Sequence, residues 1–193
     1  MKKTISVLLS LILLICLTGC TLIKPEDKVN EFLSAVKTQD KNILMGYADN
    51  KYINMLVNNS EDEKTSNEIY SNLFKNLNYK IISSSVDEKS EDATVKVEIS
   101  NTSFKNVFKN YEKKSYDYVL NNLYSKTKTK KSNLNKKFMK IFSDEIIKAS
   151  KSKKKVTKTI NIKLTKNENY GYDLKPDKNL INALTGGLIS SKK

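Results

Sequence analysis

The chain contains no histidine, no tryptophan and no arginine, and only two of its 193 residues are cysteine. Without histidine the commonest general base and the commonest metal ligand are missing, and every Ser-His or Cys-His catalytic arrangement goes with them. The lack of tryptophan weakens a carbohydrate-stacking platform, leaving tyrosine alone to serve there. Long apolar runs are scarce as well. The stretch from Ile5 to Leu17 covers 13 positions, of which Ser6 and Ser10 are polar, whereas a transmembrane helix needs ~20 apolar residues.

What that stretch does carry is an address. Lys2 and Lys3 precede it and Leu17-Thr18-Gly19-Cys20 closes it, giving the charged, apolar and small-residue regions of a secretory signal. The closing residues match a lipobox, and the N-terminus resembles that of bacterial lipoprotein precursors. The resemblance implies that a signal peptidase reads Leu17, Thr18 and Gly19, that residues 1–19 are removed, and that Cys20 becomes the mature N-terminus with a diacylglyceryl group on its sulfur. Residues 20–24 are then a lipidated tether, and the expected location is the extracytoplasmic face of the cell membrane. Cys16 leaves with the signal and Cys20 is taken by lipid, so no thiol remains for a disulfide, a metal or a nucleophile. No metal and no cofactor are expected. The remaining chain is long enough for one domain with its own core.

All 35 basic residues are lysine, a bias expected of a genome rich in adenine and thymine, but the charge is unevenly placed. Between Lys126 and Lys158, 13 lysines face only Asp144 and Glu145, a local balance of +11 in a chain of net +14. Such asymmetry points to an anionic partner, an anionic lipid surface or a wall polymer, with Lys151, Lys153, Lys154 and Lys155 as candidate contacts. The competing reading is a solvated helical face and nothing more. Four residues separate Cys20 from Pro25, which keeps the fold within about 18 Å of the anchor. Export and the absence of an aromatic-basic platform argue against nucleic acid, and an envelope protein is the other partner this address allows.

Along the chain, Pro25 sits where a first helical position tolerates a missing N–H, and Val29, Phe32, Leu33 and Val36 form one apolar helical stripe. Asp40 is a candidate N-cap for a second, shorter helix with Ile43, Leu44 and Tyr47, which Tyr52, Ile53 and Leu56 either continue or follow as another short turn. After a polar break from Asn58 to Thr65, helical spacing returns at Ile69, Tyr70, Leu73, Phe74 and Leu77, making three N-terminal helical pieces. The period then falls to two: Tyr79 to Ile82 and the alternation Ala93, Val95, Val97, Ile99 predict paired strands across a turn at Asp87 to Asp92. Val107, Phe108, Tyr111 and Tyr118, then Leu134, Phe138, Ile141, Phe142 and Ile146, predict two helices inserted at about 104–150. Val156, Ile160, Ile162, Leu164 and Tyr170, Tyr172, Leu174 predict a last hairpin. Asp177 caps a closing helix that ends at Gly186-Gly187, and residues 188–193 read as a tail. The pair of glycines lacks the following Lys-Ser/Thr of a phosphate loop.

The opening from Pro25 to Asp40, followed by helices and then an antiparallel sheet, resembles the nuclear transport factor 2-like fold as found in small lipoproteins of Gram-positive bacteria. The ending Tyr170-Gly171-Tyr172-Asp173-Leu174, with Pro176-Asp177 and Leu180 to Gly187, is similar to their last strand and closing helix, with tyrosine where a tryptophan is common. The resemblance implies a single α+β domain over 25–187, in which N-terminal helices pack on a curved antiparallel sheet and leave a cone able to hold a ligand. Tyr47, Tyr70 and Tyr79 are the candidate lining residues; core packing is the competing reading for each. Related folds include isomerases and dehydratases that use a carboxylate, a histidine and a tyrosine. Here the carboxylates cluster in polar turns, at Glu61-Asp62-Glu63 and Asp87-Glu88, and histidine is absent. The expectation is therefore a non-enzymatic, lipid-anchored binding domain at the envelope surface; a small enzyme using the cone and an immunity-type lipoprotein are the alternatives.

Overall fold

The computed structural model describes residues 23–57, 62–122, 131–169 and 171–189. The signal and lipobox residues Leu17, Thr18, Gly19 and Cys20 lie outside them, as does Tyr170. Pro25 opens helix α1 (Pro25–Thr38), whose stripe of Val29, Phe32, Leu33 and Val36 is buried. The helix stops where Gln39 turns left-handed, with φ of 60°, and the Asp40 amide donates to the Ala35 carbonyl at 2.9 Å. Asp40 then caps α2 (Lys41–Met45), its carboxylate accepting from the Asn42 and Ile43 amides. Tyr52 and Ile53 belong to a separate helix, α3 (Lys51–Val57), because Asn50 restarts the spiral by accepting from both of their amides.

Helix α4 (Glu63–Phe74) begins inside the stretch expected to be a polar break. Asp62 accounts for this, accepting from the Thr65 amide at 3.1 Å and the Thr65 hydroxyl at 2.7 Å. Among the described residues, four helices therefore precede the sheet rather than three pieces. Leu77 follows the end of α4 instead of extending its stripe, yet it is buried.

Strands β1 (Asn78–Val86), β2 (Ala93–Thr102), β3 (Lys155–Lys166) and β4 (Tyr172–Leu174) form one open antiparallel sheet in the order β1-β2-β3-β4. β1 runs past the expected Tyr79 to Ile82 as far as Val86, after a register shift between Ile81 and Ser83. The first hairpin turn lacks an Asn-Gly pair but has Asp87, whose carboxylate accepts from the Lys89 and Ser90 amides at 2.9 Å each. In register, Val97 faces Ile160, Val95 faces Ile162, and Leu164 lies between Ala93 and Leu174. This face is covered by α1 and by the closing helix α7 (Lys178–Leu184), capped by Asp177 at the Leu180 amide. Phe32, Leu33, Val95, Val97 and Ile99 are all 0% exposed, so side chains occupy the space between α1 and the sheet. Each such residue contributes roughly 1.5–3 kcal/mol by burial.

The insertion forms α5 (Val107–Asn122) and α6 (Lys131–Ser150), with α6 packed on both α4 and α5. Phe142 anchors the pair, its ring 5.6 Å from those of Phe108 and Tyr111. On α6, Lys137, Lys140, Asp144 and Lys148 are exposed while Ile141, Glu145 and Ile146 are buried, which places the lysines on one solvent face. The core continues past Gly187: Leu188 is buried and Ile189 packs against it, where the sequence reading had a tail.

Candidate functional site

A cavity lies among the helices rather than between helices and sheet. Its volume is about 600 Å³, and none of the described residues lining it belongs to a strand; ligand pockets typically span ~300–1,000 Å³. Ile69, Leu73 and Phe74 of α4, Ile181 and Leu184 of α7, and Phe108, Met139 and Phe142 of the insertion line it. The insertion thus contributes to a cavity that the N-terminal helices and α7 also line.

Two lysines, Lys51 and Lys178, are among the residues lining this cavity. Asn50, besides capping α3, donates from its amide nitrogen to the Pro176 carbonyl at 2.7 Å, which fastens the start of α3 to the approach of α7. Lys51 and Lys178 lie one and two residues beyond that joint, and both line the cavity. The Lys51 ammonium lies 5.0 Å from the centre of the Tyr52 ring, which lines the cavity with it. No Asp or Glu is among the described lining residues.

The three tyrosines expected around a cone are not brought together. Tyr70 lines the cavity, and its hydroxyl donates to the Met55 carbonyl, tying α4 to α3; burial pushes its phenol above the ordinary value. Tyr47 packs edge-on against Phe32 with ring centres 4.7 Å apart. Burial raises its phenol too, offset in part by the Lys28 ammonium, which sits 5.6 Å from its ring. Tyr79 donates its hydroxyl to Asn30 at 2.9 Å and so fastens β1 to α1. Neither Tyr47 nor Tyr79 lines this cavity.

A buried carboxylate does exist, but it serves the insertion. Glu145 on α6 is 2% exposed, pairs with Lys114 at 2.6 Å and accepts from Asn110 at 3.0 Å, both on α5. Burial alone would push its carboxyl up; those two partners, with the charge of Lys148, outweigh that and hold it below 4.5. It does not line the cavity, and no cluster of three metal-ligating side chains occurs among the described residues.

Lys151, Lys153, Lys154 and Lys155 are exposed on the α6–β3 turn and the first residue of β3. Lys155 pairs with Thr102 at one end of the sheet. Ile23 lies at the other end, against Gly171 in the β3–β4 turn. Ala93, at that end, is nine residue steps from Thr102 along β2, so the lysines stand about 30 Å from the end of the sheet where Ile23 lies.

Lys51, Lys178 and Asn50 escaped the sequence reading. Two lysines among 35 carry no distinguishing signal, whereas Asn50 ahead of Tyr52 and Ile53 was a legible cap.

No family model matches the chain, and no curated protein matches it. Among solved structures it is similar to ycdA of Bacillus subtilis, a protein provisionally assigned as a lipoprotein, at 18% identity and a TM-score of 0.41. The match covers 85% of this chain and 47% of ycdA, so the chain spans about half the length of that neighbour.

Proposed function

We propose that the protein is a lipid-anchored, non-enzymatic binding domain on the extracytoplasmic face of the membrane, held through Cys20 and built on a nuclear transport factor 2-like plan enlarged by the helical insertion. The anchor rests on Leu17-Thr18-Gly19-Cys20 after a short apolar run, and no helix among the described residues is long and apolar enough to cross a membrane. The observation that carries the binding reading is the apolar interhelical cavity of about 600 Å³. A cavity lined by a buried carboxylate beside a tyrosine would favour catalysis; here Glu145 lies outside the cavity, neutralised by Lys114. The lysine cluster, at the end of the sheet away from the tether, suits an anionic wall polymer better than the leaflet beneath the anchor.

Because the chain has no tryptophan, one introduced at Met139 is a unique fluorophore inside the cavity. Tyr116→Trp, at a site 64% exposed on α5, is the control. In the full-length protein on vesicles, a brominated single-chain fatty acid should quench Trp at position 139 saturably and leave the control little changed. Equal quenching of both, or quenching of neither, would show that nothing enters the cavity.

A further inference from the structure

We infer that the interhelical cavity takes a single-chain anionic amphiphile, its acyl chain in the apolar interior and its head group at the Lys51–Lys178 rim. This rests on the reading of the chain as a binding domain and adds the chemical class of its ligand. Three observations carry it. The interior is walled by Ile69, Leu73, Phe108, Met139, Phe142 and Leu184, a surface that favours hydrocarbon over water. The charged lining groups are Lys51 and Lys178, with no carboxylate among the described lining residues to neutralise them. Neither lysine forms an ion pair with a described carboxylate.

The two lysines are positioned rather than scattered. Asn50 holds the approaches of α3 and α7 together through its bond to the Pro176 carbonyl, and both lysines follow within two residues of that joint. A ligand charged at one end and apolar along its length therefore meets cations at one end of the site only. A neutral chain would leave the two ammonium groups facing nothing but water, while a short hydrophilic anion would leave the hydrocarbon walls unfilled. The insertion gains a role on this account, because Phe108, Met139 and Phe142 supply apolar lining for the chain.

The test uses the full-length protein on phosphatidylcholine vesicles and a diazirine-bearing palmitate as probe. Cross-links should map to cavity residues such as Met139, Phe142 and Leu184. Unlabelled palmitate and lysophosphatidylglycerol should both compete, the first reporting carboxylate and the second phosphate recognition, and the stronger competitor identifies the head group. Monopalmitoylglycerol should compete at least tenfold more weakly. Lys51→Gln together with Lys178→Gln, both at exposed positions, should weaken competition by the anions by roughly tenfold and erase their advantage over the neutral lipid. Cross-links in the cavity with equal competition by the neutral lipid would overturn the anionic assignment and leave the binding reading standing. Cross-links absent from the cavity would overturn both.

Discussion

Asn101 shows how single side chains fix this architecture. It is 1% exposed on β2, and its amide nitrogen donates to the Leu73 carbonyl at 2.9 Å and the Leu184 carbonyl at 2.7 Å, while its oxygen accepts from the Thr102 amide. Leu73 and Leu184 lie in the last turns of α4 and α7, where carbonyls have no partner within their own helix. One asparagine therefore ties two helix ends to the sheet, and both of those leucines line the cavity. Asn101→Ala should lower the unfolding free energy by about 2–4 kcal/mol, because it strands buried carbonyls. A denaturation midpoint unmoved by the substitution would remove this residue from the account. Gly186 works beside it: its φ is +55°, and a Cβ there would come within 1.9 Å of the Thr102 carbonyl oxygen, so the close approach of α7 to the end of β2 requires glycine. The left-handed turn at Gly186, like the caps Asp40 and Asp177, was legible in the sequence because each is local to its helix end, whereas the approach to Thr102, 84 positions away, was not.

Among the elements, the insertion is held by one buried ionic contact whose pH dependence can be worked out. Glu145 has a lowered folded pKa, so its stabilisation is fully present above its ordinary 4.5 and is lost as pH falls through the folded value. Lys114 has a raised one, chiefly through its hydrogen bond to Glu145, so its contribution is present below 10.5 and is lost as pH rises through the folded value. Protection of the amides in α5 and α6, measured as hydrogen exchange relative to the unstructured rate at each pH, should accordingly be highest between these limits and fall in acid. Glu145→Gln should make the acid limb shallower; an identical limb in the variant would mean that the pair does not hold the helices. Periodicity predicted both helices and their aromatic seam at Phe108, Tyr111 and Phe142, since their spacing is local. It did not predict that Glu145 is buried, because the partner that permits burial stands 31 positions away on another helix.

For the whole molecule, the alternating pattern of β2, the Pro25 start of α1 and the capped α2 and α7 made a mixed α+β fold with an antiparallel sheet readable in advance. The place of the cavity was not readable, since it depends on how six helices meet, and residue spacing within each of them says nothing of that. Lys51 and Lys178 are 127 positions apart and become a site only through the Asn50–Pro176 contact. The sheet has Ile23 at one end and the Lys151–Lys155 cluster at the other, which would set the polarity of a protein anchored at Cys20. Each part of this account presupposes a protein fixed to the membrane through its N-terminal cysteine. The most direct measurement is the intact mass of the full-length gene product isolated from the membranes of a lipoprotein-processing bacterium. The account predicts a chain that lacks residues 1–19, begins at Cys20 and carries a diacylglyceryl increment on that residue. A mass that retains Met1, or a mature chain with a free Cys20 thiol, would contradict it.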